Sequence, residues 1–451
     1  MSTRLVLSAV LCSVCFGQWL ETTVQLPDSS GPMALCHNPT SNKVYCANAA
    51  GNVAVIDGAT NAILATLATA RYAQGLCHNT QNNKVYCVSP YLPNVTVIDG
   101  VSNLVLATLT TGNSPGCLCY NPQNNKVYVA NEASDDVAII NGLTDEVVAS
   151  VPAGSGPCTL AYNPRNNRIY CASFRTGSVT VIDGRSDEVL CTFRSGGLAS
   201  SLCYAGQDNK VYCANEAGGN VTVIDGASNG IVALVRTGGW PRHLEYNTRS
   251  NKVYCANFMY QFDSVSVIDC ASDSVIANVY VAGGAQALCY NPINDKLYCA
   301  NGMGEATIID GTSDQVLRTI ALGEGPRALC HNSLQNRVYV ANCGSSSISV
   351  LRDSGGGVEE SKQPVVNRQK PMATVARGIL CVGLGTRPEL PERNSVMSRA
   401  VLLDATGRSV MALNGGPNDV RQLAPGVYFV RQEPQASSHE PQAIRKVIIA
   451  R

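Results

Sequence analysis

Cysteine is the commonest residue here with reactive chemistry: the chain holds 20, against five histidines. Four pairs stand ten residues apart: Cys36/Cys46, Cys77/Cys87, Cys203/Cys213 and Cys289/Cys299. If each pair spans a hairpin, folding about the turn brings its sulfurs near one another. Cross-strand Cα separations of about 4.5–5.5 Å lie within disulfide range. Elsewhere the same two positions hold Cys119/Val129, Ala161/Cys171 and Cys330/Val340. A position that takes Val, Ala or Cys asks for a small apolar group, and a free cysteine packs as one. Disulfides and buried thiols therefore both remain open. Beyond the first 18 residues only Cys117 and Cys119 are close-spaced, which falls short of a zinc pattern, so no metal is expected.

His37, His78 and His331 occupy one recurring position that elsewhere holds Tyr120, Tyr162, Tyr204, Tyr246 and Tyr290. A position shared by His and Tyr reads as structural rather than catalytic. The Asp of a recurring Val-Ile-Asp-Gly reads as a turn residue, and Asn141 replaces it once. Nucleophile elbow, phosphate loop and zinc helix motifs are all missing, so no catalytic residue and no cofactor is assigned.

Lys+Arg and Asp+Glu both number 33, so the formal net charge is zero. Nucleic-acid binding, which needs a basic stripe, is not expected. Arg4 followed by the apolar run 5–16 and the small Gly17 reads as a secretory signal over residues 1–18, too short to span a bilayer. The residues before Cys12 and Cys15 do not suit a lipid anchor. No later stretch is apolar for long enough to form a transmembrane helix.

A repeat of about 42 residues must position whatever chemistry there is. Asn-Lys-Val-Tyr and its variants end at Tyr45, Tyr86, Tyr128, Tyr170, Tyr212, Tyr254, Tyr298 and Tyr339. Val-Ile-Asp-Gly and its variants follow at Asp57, Asp99, Asn141, Asp183, Asp225, Asp269 and Asp310. Each unit divides into four short strands separated by Asn-, Gly- and Pro-bearing turns. Four strands in about 42 residues make one propeller blade. Seven units are whole, and the eighth lacks its last strand. Trp19–Leu26 looks like that strand. The fold expected is all-β: an eight-bladed β-propeller over 19–352, closed by its N-terminal strand.

Lys-Val-Tyr-Val-Ala-Asn at 126–131, Arg-Val-Tyr-Val-Ala-Asn at 337–342 and the Val-Ile-Asp-Gly landmarks resemble the YVTN repeat family. The resemblance covers about 19–352. It implies a propeller of the kind found in bacterial and archaeal surface and periplasmic proteins, and it implies no activity.

Residues 353–372 are polar and Gly-rich and read as a linker. Residues 373–451 alternate apolar runs with turns and are expected to form a small β-sandwich. Asp404, Gly407 and Arg408, then Leu-x-Pro-Gly-Val-Tyr-Phe-Val at 423–430 and Lys-Val-Ile-Ile at 446–449, look like a type IX secretion C-terminal sorting domain. That resemblance implies a secretion machinery as partner and a final place at the cell surface or outside the cell.

In a propeller the loops on one face carry function. The sixth unit departs most from the repeat, with Trp240, Arg242 and His243 entering it and Phe258, Tyr260 and Phe262 in a longer loop. Arg175 is a further departure, with Arg71, Tyr72, Tyr91, Phe174 and Arg327. Aromatic and Arg side chains dominate recognition surfaces. The leading reading is a non-enzymatic exported propeller that binds a protein or glycan. A propeller enzyme with a site at the channel (lactonase-like or cofactor-dependent oxidoreductase) and a surface-layer-like building block are the alternatives.

Overall fold

The computed structural model describes residues 17–258 and 263–353, together with seven strands beyond residue 373. The chain divides into two compact units, residues 1–359 and 360–451.

The first unit is an eight-bladed propeller. Each blade is one four-stranded antiparallel sheet. In the first blade the strands run Pro32–Asn38, Lys43–Asn48, Asn52–Asp57 and Ile63–Ala68, from the innermost outward. The innermost strand of every blade touches those of both neighbours, which closes a ring around a central channel. Closure follows the sequence expectation. The strand Gln18–Gln25 pairs antiparallel with Ser347–Asp353 and becomes the outermost strand of the eighth blade. It starts at Gln18, one residue before the expected boundary, and the eighth blade ends at Asp353, one residue after it. Gln18 Nε2 donates to Asp353 Oδ1 at 3.0 Å, so both residues belong to the closure. Arg337 rivets the join: its guanidinium bonds Glu21 of the N-terminal strand and the carbonyls of Gly58 and Ala59 in the first blade.

The recurring residues are blade-to-blade fasteners. Tyr86 Oη donates to Asp145 Oδ1 of the next blade at 2.8 Å, while Lys84 Nζ meets Oδ2 at 2.7 Å. Tyr128 with Asp187, Tyr212 with Asp273 and Tyr254 with Asp314 repeat the contact. The acceptors sit in turns at positive φ, +57° at Asp145, where Asn and Asp are the best tolerated non-glycine residues. One residue type thus serves both the turn and the neighbouring blade.

A second set of fasteners joins asparagines. Asn38 Nδ2 donates to Asn83 Oδ1 at 2.7 Å, Asn121 to Asn167 at 2.8 Å and Asn332 to Asn42 at 3.1 Å across the closure. The glycine of Val-Ile-Asp-Gly lies over these bonds. A Cβ on Gly58 would stand 2.4 Å from Asn42 Oδ1 and 2.6 Å from Asn332 Nδ2, so no larger residue fits.

Between blades the core is apolar. Tyr45, Val53 and Val55 pack against Val85, Cys87 and Ile98 of the second blade. Val44, Cys46 and Ile56 on the other face pack against Tyr339, Ile348 and Val350 of the eighth. Each blade is apolar on both faces and is stable only between neighbours.

The second unit is also built of strands. A five-stranded sheet is ordered Thr374–Ala376, Ile444–Ile449, Gly426–Gln432, Ala400–Leu403 and Ser409–Leu413, and Ile379–Val382 pairs with Gly416–Asp419. The signal expected over 1–18 lies outside the described residues except for its last two. The linker expected over 353–372 lies outside them except for Asp353. Among the described residues no helix is long and apolar enough to cross a membrane.

Candidate functional site

Inner-strand side chains alternate between the two neighbouring blades, and that alternation decides what can meet. Cys36 is paired in register with Tyr45, whereas Cys46 is paired with Leu35. Cys36 therefore lies on the Tyr45 face, toward the second blade, and Cys46 faces the eighth. Cys77/Cys87, Cys203/Cys213 and Cys289/Cys299 have the same one-residue offset. The disulfide reading is thereby corrected: the two sulfurs of each pair point to opposite faces of a sheet, and all eight are free thiols. Burial pushes the Cys36 and Cys87 thiols up to about 12, so they stay protonated.

The His/Tyr position is structural. His78 Nε2 lies 3.3 Å from Asn83 Oδ1, and Tyr246 Oη donates to Asn251 Oδ1 at 2.9 Å. Burial lowers the His78 pKa, and that of His37 to about 4. The Asp of Val-Ile-Asp-Gly is a turn residue. Asp57 Oδ1 accepts the backbone N–H groups of Ala59 and Thr60 at 2.9 and 2.7 Å, and such bonds hold its carboxyl below the usual range.

Departures from the repeat do gather at the sixth blade, whose strands are Pro241–Asn247, Lys252–Asn257, Ser264–Asp269 and Ser274–Tyr280. The backbone N–H of Phe258 donates to Trp240 O at 2.9 Å and joins the two loops. The Trp240 side chain is 44% exposed. The Arg242 guanidinium lies 4.5 Å from the Phe258 ring centroid, within cation–π range, and meets Glu216 of the fifth blade at 3.2 Å. Phe258 also lines a pocket of about 380 Å³ with Asp263, Gly283, Gly284, Gln286, Gly302 and Met303, between the sixth and seventh blades. Tyr260 and Phe262 lie outside the described residues.

His243 is not part of that surface. It alternates with Arg242 and turns to the seventh blade, where its Nδ1 accepts the Leu288 N–H at 3.3 Å. Burial lowers its pKa to about 4, so the ring is neutral and its proton sits on Nε2. Arg175 is also apart. It is held by Glu132 at 2.8 Å and lines a pocket of about 330 Å³ with Arg194 and Gly196, between the fourth and fifth blades.

Glu245 escaped the sequence reading. It occupies the position held by Cys36, Cys77, Cys119, Ala161, Cys203, Cys289 and Cys330 in the other blades. Its Oε1 accepts the Tyr290 N–H at 3.1 Å. Burial raises its carboxyl to about 7. Aligning every unit at this single position, rather than at the cysteine pairs, would have exposed it.

Comparison with known proteins agrees with this frame. No curated protein matches the sequence. Among solved structures, the computationally designed Ika8 protein has 17% identity and a TM-score of 0.62, covering 74% of this chain and 99% of its own. Saccharomyces cerevisiae Sqt1 has 12% identity and a TM-score of 0.64, covering 73% and 98%. The dihydro-heme d1 dehydrogenase NirN has 15% identity and a TM-score of 0.59, covering 70% and 72%. At such identities the likeness concerns the fold alone. A family described as YNCE-like beta-propeller matches residues 42–303 and 114–359, well over half of the sequence and nearly all of the ring, and the chain belongs to that family.

Proposed function

We propose that this is a non-enzymatic binding propeller that is exported and takes a protein or glycan on the loop face of its sixth blade. One observation carries the reading. Trp240, Arg242 and Phe258, at loop positions that vary from blade to blade, form one partly exposed cluster beside a pocket. Aromatic and arginine groups on a rigid frame lose little entropy on binding. Arg242, held between Glu216 and Phe258, is already fixed in place. The test is binding of the full chain to a glycan array and a panel of purified cell-surface ectodomains. Trp240→Ala with Phe258→Ala should remove the signal, and Tyr91→Ala on the second blade should keep it. Equal binding by the double variant would overturn the assignment.

The C-terminal region, residues 373–451, is proposed as the sorting domain that engages a type IX secretion machinery. The motif residues Asp404, Gly407 and Arg408 and the Lys-Val-Ile-Ile end support this. Removing 373–451 should abolish surface display. Unchanged display would refute the assignment.

A further inference from the structure

The eight blades are eight copies of one design, so each position carries its own control. At the position of Glu245 the other blades show what the fold requires. The backbone N–H of the next inner strand lies against a thiol there: His78 against Cys36, Tyr120 against Cys77, His331 against Cys289 and His37 against Cys330. Even Ala161 is tolerated. A weak acceptor or none is enough, yet the sixth blade places a carboxylate there.

That carboxylate brings a charge the fold does not use. Glu245 accepts one N–H, from Tyr290, and has no cationic partner among the described residues. From the neighbouring inner strands it faces the thiols of Cys203 and Cys289, both held protonated by burial. On its own strand and face lies His243, which is neutral. A carboxylate in the wall of a channel with no counter-charge is costly, and the cost is relieved either by a proton or by a cation that completes it.

We propose that the channel wall of the sixth blade binds an organic cation, a ligand bearing an ammonium or guanidinium group, which takes the Glu245 carboxylate as its counter-charge. A metal ion fits less well. His243 keeps its proton on Nε2 and has no lone pair left to give, because its Nδ1 already accepts from Leu288. No group of three or more metal-ligating side chains exists among the described residues. An organic cation needs only the carboxylate as its partner. The site is separate from the Trp240 surface and does not depend on it.

Calorimetric titration of the full-length protein tests this, with cadaverine as the ammonium probe, its bis-guanidine analogue as the guanidinium probe and pentanediol as the neutral control. One or both cations should bind and pentanediol should not. Which cation binds more tightly names the group. Affinity should rise about tenfold between pH 6 and pH 8, because Glu245 becomes charged over that range. Glu245→Gln should cost at least about tenfold. Glu245→Cys, which restores the repeat, should also abolish binding in a protein at least as stable as the parent. Trp240→Ala should bind the cations normally, so a failed loop-face reading leaves this result intact. Absence of cation binding, equal binding of pentanediol, or unchanged affinity in Glu245→Gln would each overturn the proposal.

Discussion

Cys270 packs into the space that Ala205 leaves between the fifth and sixth blades. Six other blades carry glycine where Cys270 stands, and seven carry asparagine where Ala205 stands. The geometry explains why both change together. In the regular blades the glycine lies against the asparagine amide, at a distance no Cβ could occupy: a Cβ on Gly226 would lie 2.6 Å from Asn163 Nδ2. Removing the amide at 205 opens a void, and a cysteine side chain fills it. Cys270 is therefore a packing residue rather than a reactive thiol. Ala205→Asn alone should overpack the junction and cost about 1–3 kcal/mol. Cys270→Gly alone should cost about 1–2 kcal/mol through the void and the added chain freedom. The double variant should recover at least about 1 kcal/mol of the summed loss, because it rebuilds the asparagine bond to Asn251. Urea unfolding of the four proteins reads the coupling, and strict additivity would show that the two positions are independent.

Tyr86 and Tyr298 occupy the same position in blades two and seven, with opposite fates. Tyr86 donates to the Asp145 carboxylate of the next blade. Among the described residues the Tyr298 hydroxyl has no hydrogen-bond partner. In the eighth blade no turn joins the third strand directly to the outer one, because that outer strand is the N-terminal Gln18–Gln25. Burial first, and then the nearby Asp353 carboxylate, push the Tyr298 pKa up. Tyr86→Phe should therefore cost about 1.5–3 kcal/mol, as expected for a buried bond to a charged acceptor. Tyr298→Phe should be neutral or stabilising, since it removes a buried hydroxyl without a partner. Equal losses at the two sites would contradict this account of the closure.

The same closure shows what a repeat makes legible. Counting strands in the sequence left one missing at the end and one spare at the start, and Trp19–Leu26 could go nowhere else. Faces were harder to read. The inner hairpin of the first blade pairs residues whose numbers sum to 81, such as Cys36 with Tyr45 and Leu35 with Cys46. Cys36 and Cys46 miss that sum by one, and a one-residue offset in a sheet moves a side chain to the other face. Spacing alone does not reveal the offset, because the four-residue turn sets it. The candidate surface was legible where it broke the repeat with large side chains. Glu245 was hidden because it breaks the repeat inside a position read only for cysteine.

From that register follows a thiol count. The eight paired cysteines should all react with a thiol reagent in denaturant without reductant, and none should react quickly in the native protein, where burial holds them protonated. Mass spectrometry of the alkylated chain assigns each site. A bridge between Cys36 and Cys46 in folded protein would require a different register from the one described.

Glu245 should make the propeller less stable as pH rises. Burial lifts its carboxyl from 4.5 to about 7. Between those values the folded state keeps a proton that the unfolded chain has released. Stability from this group is full below about pH 4.5 and declines as pH climbs through 7. The lowered pKa values of His37, His78, His243 and His331 act in the opposite sense, since those rings are held neutral and the folded state weakens as pH falls below 6.5. Comparison with Glu245→Gln isolates the carboxylate, because the histidine contribution is common to both proteins. Relative to that variant the parent should lose up to about 3 kcal/mol between pH 5 and pH 8. Urea midpoints taken across the range measure it. Parallel curves would mean that Glu245 titrates alike in the folded and unfolded chain. A saturating organic cation that fills the channel wall should flatten the difference in the same way, so the midpoints are to be taken with and without cadaverine.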